Sequence, residues 1–198
     1  MDELKFAVIG NPVSHSLSPD IHLFFASQFQ LERYTYNKIK SNENDFEKDV
    51  NDFLKKGGMG LNVTVPFKGL AYNLCDKLDQ SAAKCKSVNT ILIDSDKLIG
   101  HSTDGQGLID DFLHKEITLE DSKILIIGAG GSAASIISSL LFHGKIKEIS
   151  ILNRTKSNAL KLLDLFETNR LLMHEEGDEY DIVINTTPIS MNVDDIIL

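Results

Sequence analysis

The run Lys123-Ile124-Leu125-Ile126-Ile127 leads into Gly128-Ala129-Gly130-Gly131-Ser132-Ala133, and a helical pattern follows through Leu141. A buried strand, a glycine-rich turn and a helix in that order form the opening of a βαβ unit. The spacing is Gly-x-Gly-x-x-Ala, with Ala133 standing where a third glycine is usual. Gly128 permits the tight turn and Gly130 lets the backbone approach a pyrophosphate. The helix start adds free N–H groups and the positive end of its dipole. A plain tight turn is the alternative reading of the same residues.

The chain beyond that turn carries the pattern on. A strand from Glu148 to Leu152 ends in Asn153-Arg154-Thr155-Lys156. An NAD-preferring site places Asp or Glu there for the ribose 2′-hydroxyl, whereas Arg154 and Lys156 attract a 2′-phosphate and so favour NADP. The alternative is a solvated basic pair opening the next helix, which runs through Phe166. A short strand over 171–174 and another from Asp181 to Asn185 follow, the latter opening into Thr186-Thr187-Pro188. Right-handed crossovers between these strands predict a parallel sheet.

The first half alternates strand and helix. Lys5 to Ile9 reads as a buried strand closed by Gly10-Asn11-Pro12. In Ser16-Leu17-Ser18-Pro19, Ser18 is the expected N-cap and Pro19 the first helical residue, with Ile21, Phe24, Phe25 and Phe29 at helical spacing. Ser16 and Ser18 then stand where hydroxyls and free N–H groups suit a carboxylate, although a cap alone accounts for Ser18. Arg33 to Ile39 reads as a strand, and Phe46, Val50, Phe53 and Leu54 as a helix stopped by Gly57-Gly58.

Met59 to Val65 is the next expected strand, with Asn62 and Thr64 on one face and Val63 and Val65 on the other. Pro66 ends it as a first helical residue, which places Lys68 in the first turn near the two polar side chains. Amide, hydroxyl and amine at one strand tip can line a small polar pocket, or the stretch is an ordinary core strand. Helices are expected from Pro66 to Leu74 and from Asp79 to Cys85. A hairpin of Val88–Ile93 and Lys97–Gly100 turns at Asp94-Ser95-Asp96. Asn89 puts an amide needing partners at the start of an apolar strand. Thr103 or Asp104 then reads as the N-cap of a helix through Leu113, or as something more than a cap.

At 198 residues, 42% hydrophobic and 25% charged, the chain has the composition of a soluble globular protein of one large or two small domains. A net charge of −9 argues against nonspecific binding to nucleic acid or to an anionic membrane. Met1-Asp2-Glu3-Leu4-Lys5 has no signal-peptide pattern, and no apolar run approaches a membrane span. Cys75 and Cys85 are expected to be buried free thiols, and the six histidines show no metal-ligand spacing. The expectation is a cytoplasmic, metal-free protein.

Taken together, Gly10-Asn11-Pro12, Ser16 to Pro19, Asn62 to Lys68, Val88-Asn89-Thr90, Ser102 to Gly105, Gly128 to Ala133 and Asn153-Arg154-Thr155 resemble the shikimate dehydrogenase family. The resemblance implies an α/β fold: a mixed substrate-binding domain at 1–103 and a Rossmann-type, doubly wound NADP-binding domain at 104–198. It implies NADPH-dependent reduction of 3-dehydroshikimate to shikimate, with Lys68 as proton donor or acceptor and Asp104 orienting it. Ser16 and Ser18 would hold the substrate carboxylate. Asn62, Thr64, Lys68, Asn89, Thr103 and Asp104 would surround the ring hydroxyls. Cofactor binding would fall to Gly128, Ala129, Gly130, Gly131, Ser132, Ala133, Asn153, Arg154, Thr155 and Lys156, with Thr186 and Thr187. A homodimer is among the expectations.

Two departures from the family pattern stand out. Asn158 occupies the place of a second basic residue, which leaves Lys156 to compensate. The family also continues several dozen residues past Leu198. The expectation is therefore a truncated nucleotide domain, or one whose uncovered apolar surface meets a partner. A quinate-acting relative and a non-catalytic ligand-binding module are the alternatives.

Overall fold

The computed structural model describes residues 3–95 and 97–188, in two compact units that divide between Ser102 and Thr103. Met1, Asp2 and Asp96 of the sequence-based expectations lie outside the described residues.

The first unit runs β1 (Leu4–Gly10), α1 (Ser18–Gln28), β2 (Tyr34–Lys40), α2 (Phe46–Lys55), β3 (Gly58–Val63), α3 (Lys68–Leu74), β4 (Lys77–Leu78), α4 (Gln80–Cys85), β5 (Thr90–Asp94) and β6 (Lys97–His101). Its six-stranded sheet has the order β2-β1-β3-β5-β6-β4. β1 is parallel to β2 and β3, β5 is antiparallel to β3 and β6, and β4 is parallel to β6. Strand alternation sorts the two faces. Ala7, Ile9, Leu61 and Val63 enter the larger core with Phe46 and Val50 of α2, Phe67, and Ala71 of α3. Val8 faces the other way and packs with Val13 and Tyr36.

Several boundaries differ from the sequence-based expectation. β3 stops at Val63, and a turn over 64–67 follows in which Phe67 N–H donates to Thr64 O at 3.0 Å. Pro66 therefore lies inside that turn, and α3 begins at Lys68. At α1 the helix starts on Ser18 itself, so Leu17 rather than Ser18 holds the N-cap position, without a side-chain cap bond, and the Ser18 N–H donates to Ser16 Oγ at 3.2 Å. Gly57 takes φ +84° after α2, while Gly58 opens β3 against the ring of Phe53. β4 has no hydrophobic run to announce it. It forms because Asp76 accepts the Leu98 N–H at 2.8 Å and Asp79 N–H donates to Gly100 O at 2.9 Å. Both cysteines are free, but only Cys85 is buried. Cys75 is half-buried, and burial, with Asp76 adding to it, pushes its thiol up to about 11.

The second unit runs α5 (Asp104–His114), β7 (Lys123–Ile127), α6 (Gly131–His143), β8 (Glu148–Leu152), α7 (Lys156–Phe166), β9 (Leu171–Met173) and β10 (Ile182–Asn185). Its sheet has the order β10-β7-β8-β9, parallel throughout. Ile124, Ile126, Ile149 and Ile151 are fully buried with Ala133, Ile137 and Leu140 of α6. Such near-continuous apolar strands are what a parallel sheet covered on its faces requires. β7 has β8 on one side and β10 on the other, so the strand order reverses at β7. Ligands of such sheets bind at the carboxyl ends of the strands beside that point.

Candidate active site

In the first unit the polar residues gather at the carboxyl end of β3. Asn62 and Thr90 are cross-strand partners, and Asn62 Nδ2 donates to Thr90 Oγ1 at 3.2 Å. Thr90 Oγ1 donates in turn to Asn89 Oδ1 at 3.1 Å. On the other side Tyr36 Oη donates to Asn62 Oδ1 at 2.6 Å, with the Ser18 side chain beside the phenol. Ser16 Oγ donates to Ser18 Oγ at 3.1 Å. Tyr36, Asn62, Thr90 and Asn89 thus form one hydrogen-bonded row, with the bonded pair Ser16 and Ser18 beside its Tyr36 end; Tyr36 and Thr90 were not among the expected site residues. Tyr36 is buried, and its ring stacks on His22 at a centroid distance of 4.3 Å. The signal available in the sequence was the pair Tyr34 and Tyr36, on one face of β2.

Thr64 and Lys68 follow β3 directly. The Thr64 methyl lies where a side chain on Gly10 would go: a Cβ there would stand 2.2 Å from Thr64 Cγ2. Lys68, half-buried at the head of α3, accepts the Val88 N–H on its carbonyl at 3.0 Å, and Asn89 O accepts the Val63 N–H at 2.7 Å. These bonds tie the start of α3 and the segment before β5 to the tip of β3.

In the second unit Gly128 is buried at φ +114°, and a Cβ on it would meet Thr186 Oγ1 at 2.3 Å. Thr186 is drawn in by its own bonds, since its N–H and hydroxyl both donate to Ile127 O, at 2.8 and 2.9 Å. Thr187 is set by Asn185 Oδ1, which accepts its N–H at 2.9 Å and its hydroxyl at 2.7 Å. Gly130 is the reverse case: it is exposed, and a Cβ there would meet nothing within 4 Å. That open backbone beside Ala129 and before Gly131 at the helix start suits a pyrophosphate. Ala133 is fully buried, as a helix lying close on a sheet demands.

Asn153 Nδ2 donates to Thr155 O at 2.8 Å, which shapes the loop after β8. Arg154, Lys156 and Asn158 are exposed there. Thr103 holds the N-cap position of α5, but its side chain makes no cap bond; its carbonyl accepts the Gly107 N–H at 2.9 Å. Asp104 begins α5, and Ser132 Oγ of the glycine turn donates to its Oδ2 at 3.3 Å. Lys68 belongs to the first unit and Asp104 to the second. Among the described residues no group of three or more His, Cys, Asp or Glu is placed to hold a metal, and no helix is long and apolar enough to cross a membrane.

A parallel sheet with an open glycine turn at its reversal point, in a chain whose other unit presents amides, hydroxyls and an amine at a strand tip, defines the class of two-unit dinucleotide-dependent oxidoreductases. The shikimate dehydrogenase substrate-binding-domain model matches residues 8–91, and the shikimate/quinate 5-dehydrogenase model matches residues 111–193. The shikimate dehydrogenase (NADP(+)) of Acinetobacter baumannii strain ACICU is 40% identical over 197 residues, covering 96% of this chain and 74% of that relative. The crystal structure of shikimate dehydrogenase from Aquifex aeolicus matches with a TM-score of 0.88 at 29% identity, over 98% of this chain and 72% of that one. Shikimate 5-dehydrogenase of Thermus thermophilus, in complex with NADP(H) and shikimate, matches with a TM-score of 0.82 at 30% identity, over 93% and 69%. The chain belongs to the shikimate dehydrogenase family.

Proposed function

We propose that the chain catalyses the NADPH-dependent reduction of 3-dehydroshikimate to shikimate and its reversal. Family membership supports the activity; the hydrogen-bonded row joining Tyr36, Asn62, Thr90 and Asn89, with the Ser16–Ser18 pair beside it, carries the site. In this reading the first unit, through Ser102, binds the substrate and the second, from Thr103 on, binds NADP, one residue earlier than the expected boundary. Ser16 and Ser18 hold the substrate carboxylate at the start of α1. Asn62, Thr64, Asn89 and Thr103 bind around the ring.

The nicotinamide cofactor supplies or accepts the hydride. A carbonyl carbon that gains hydride leaves charge on its oxygen, so a proton donor must stand within hydrogen-bond reach. Lys68 is that donor in reduction and the acceptor in oxidation, with Asp104 orienting it and binding a neighbouring hydroxyl. Gly128 to Ala133 receive the pyrophosphate, Asn153 to Lys156 the 2′-phosphate, and Thr186 and Thr187 line the same cofactor. A cytoplasmic homodimer completes the reading, and sedimentation at micromolar concentration tests the dimer.

The central test is NADPH oxidation dependent on 3-dehydroshikimate. Lys68→Ala lowers kcat by about 10²–10⁴-fold, the usual share of general acid catalysis, and keeps NADP binding by calorimetry. An undiminished rate removes Lys68 from the chemistry. Arg154→Ala raises the KM for NADPH about tenfold, on the scale of one charge-assisted contact, and leaves that for NADH unchanged. Because the matching family description names quinate beside shikimate, quinate is assayed side by side.

A further inference from the structure

Tyr36 crosses the sheet to reach its partner. It stands opposite Phe6 on β1, while Asn62 on β3 stands opposite Val8, so the phenol spans β1 diagonally. Ser16 donates to Ser18, and Tyr36 beside them donates to the oxygen of Asn62. That last bond decides which way the Asn62 amide lies. With Oδ1 held by the phenol, Nδ2 is turned to Thr90, whose hydroxyl must then donate onward to Asn89 Oδ1. An amide reversed at Asn62 would set its oxygen against Thr90 and turn that hydroxyl back. Asn89 Oδ1 would then lose the Thr90 hydroxyl as a donor.

We infer that Tyr36 is a positioning residue of the reaction, which orders the Asn62 and Asn89 amides through Thr90 so that the ring hydroxyls meet a fixed pattern of donors and acceptors. The inference rests on the proposed reaction for its substrate. Two independent observations suit Tyr36 to the task. Its burial pushes the phenol well above the ordinary tyrosine range, so it keeps its proton and remains a donor. Its ring is locked by stacking on His22 and by packing on Val8 and Val13. Tyr36→Phe retains that ring and deletes only the oxygen.

The test combines kinetics with side-chain amide resonances of isotope-labelled, ligand-free protein, assigned by loss in Asn62→Asp and Asn89→Asp. Tyr36→Phe should raise the KM for shikimate about tenfold, the scale of one buried hydrogen bond, with kcat changed less than about threefold. The KM for NADP should hold, and the resonances of both Asn62 and Asn89 should move. Adding Thr90→Val should raise KM by less than the product of the single effects, because both substitutions cut one chain. Asn89 resonances that stay in place in Tyr36→Phe overturn the relay, as does a full product of effects. A wild-type protein that moves no hydride from shikimate overturns the proposed reaction instead, and the amide resonances still decide for or against the relay.

Discussion

Asp79 gathers more partners than its place before a short helix demands. It accepts the Ala82 N–H at 2.8 Å and the Ser81 hydroxyl, and it faces His101 Nδ1 at 3.1 Å. Burial pushes its carboxyl up, but the Ala82 N–H, the Ser81 hydroxyl and His101 together outweigh it, so the acid lies below its ordinary value of 3.8. A carboxyl lowered on folding stabilises the protein in full above its unfolded value and loses that contribution as pH falls through its folded value. Wild type is therefore expected to lose more stability than Asp79→Asn as the pH drops below about 4, read from urea midpoints along a pH series. Residues of this kind divide into the legible and the hidden. Asn62 and Asn89 announced themselves, because an amide in an apolar strand must find partners. Tyr36 did not, because an aromatic on an alternating strand reads as packing, and its partner lies 26 positions away across an intervening strand.

Among elements, the glycines separate structure from ligand. Gly105, in the first turn of α5, is buried against α6: a Cβ there would stand 2.2 Å from Ser135 O and 2.4 Å from Ser139 Oγ. Its own N–H donates to Ser135 Oγ at 3.0 Å. Gly105→Ala should therefore cost about 1–3 kcal/mol, as overpacking does, measured by denaturant unfolding. Gly128→Ala combines φ +114° with the clash at Thr186 and should destabilise as well. Gly130→Ala, at φ −95° with nothing nearby, should change stability by less than about 0.5 kcal/mol and yet raise the KM for NADPH. The order and type of the longer elements were readable from periodicity and glycine placement. The ends were not: at 64–67 a turn bond outweighed the helix-starting tendency of Pro66, and at α1 the helix begins one residue early, with Leu17 at the N-cap position and the Ser18 N–H taken by Ser16 Oγ. β4 is two residues held by Asp76 and Asp79, a register that only the folded neighbours define.

For the whole molecule, two separate sheets in two compact units imply two responses to ligand. A ligand that binds only the folded state adds about 2.7 kcal/mol at a hundred times its Kd. Under the proposed reading, NADP alone should slow hydrogen exchange over 127–133 and 153–156, and shikimate alone over 16–18, 62–68 and 89–90. Protection of the first set by shikimate alone would sink that division of labour. α1 adds a surface feature: Phe24, Phe25 and Phe29 are 60%, 49% and 77% exposed, and only Ala26 of the helix is buried. The bond from Ser132 to Asp104 bears on how such chains diversify. The carboxylate is rooted in the nucleotide-turn unit, two residues past the seam between the units. A transplant of that unit onto a foreign partner lobe would carry the acid along already held by Ser132.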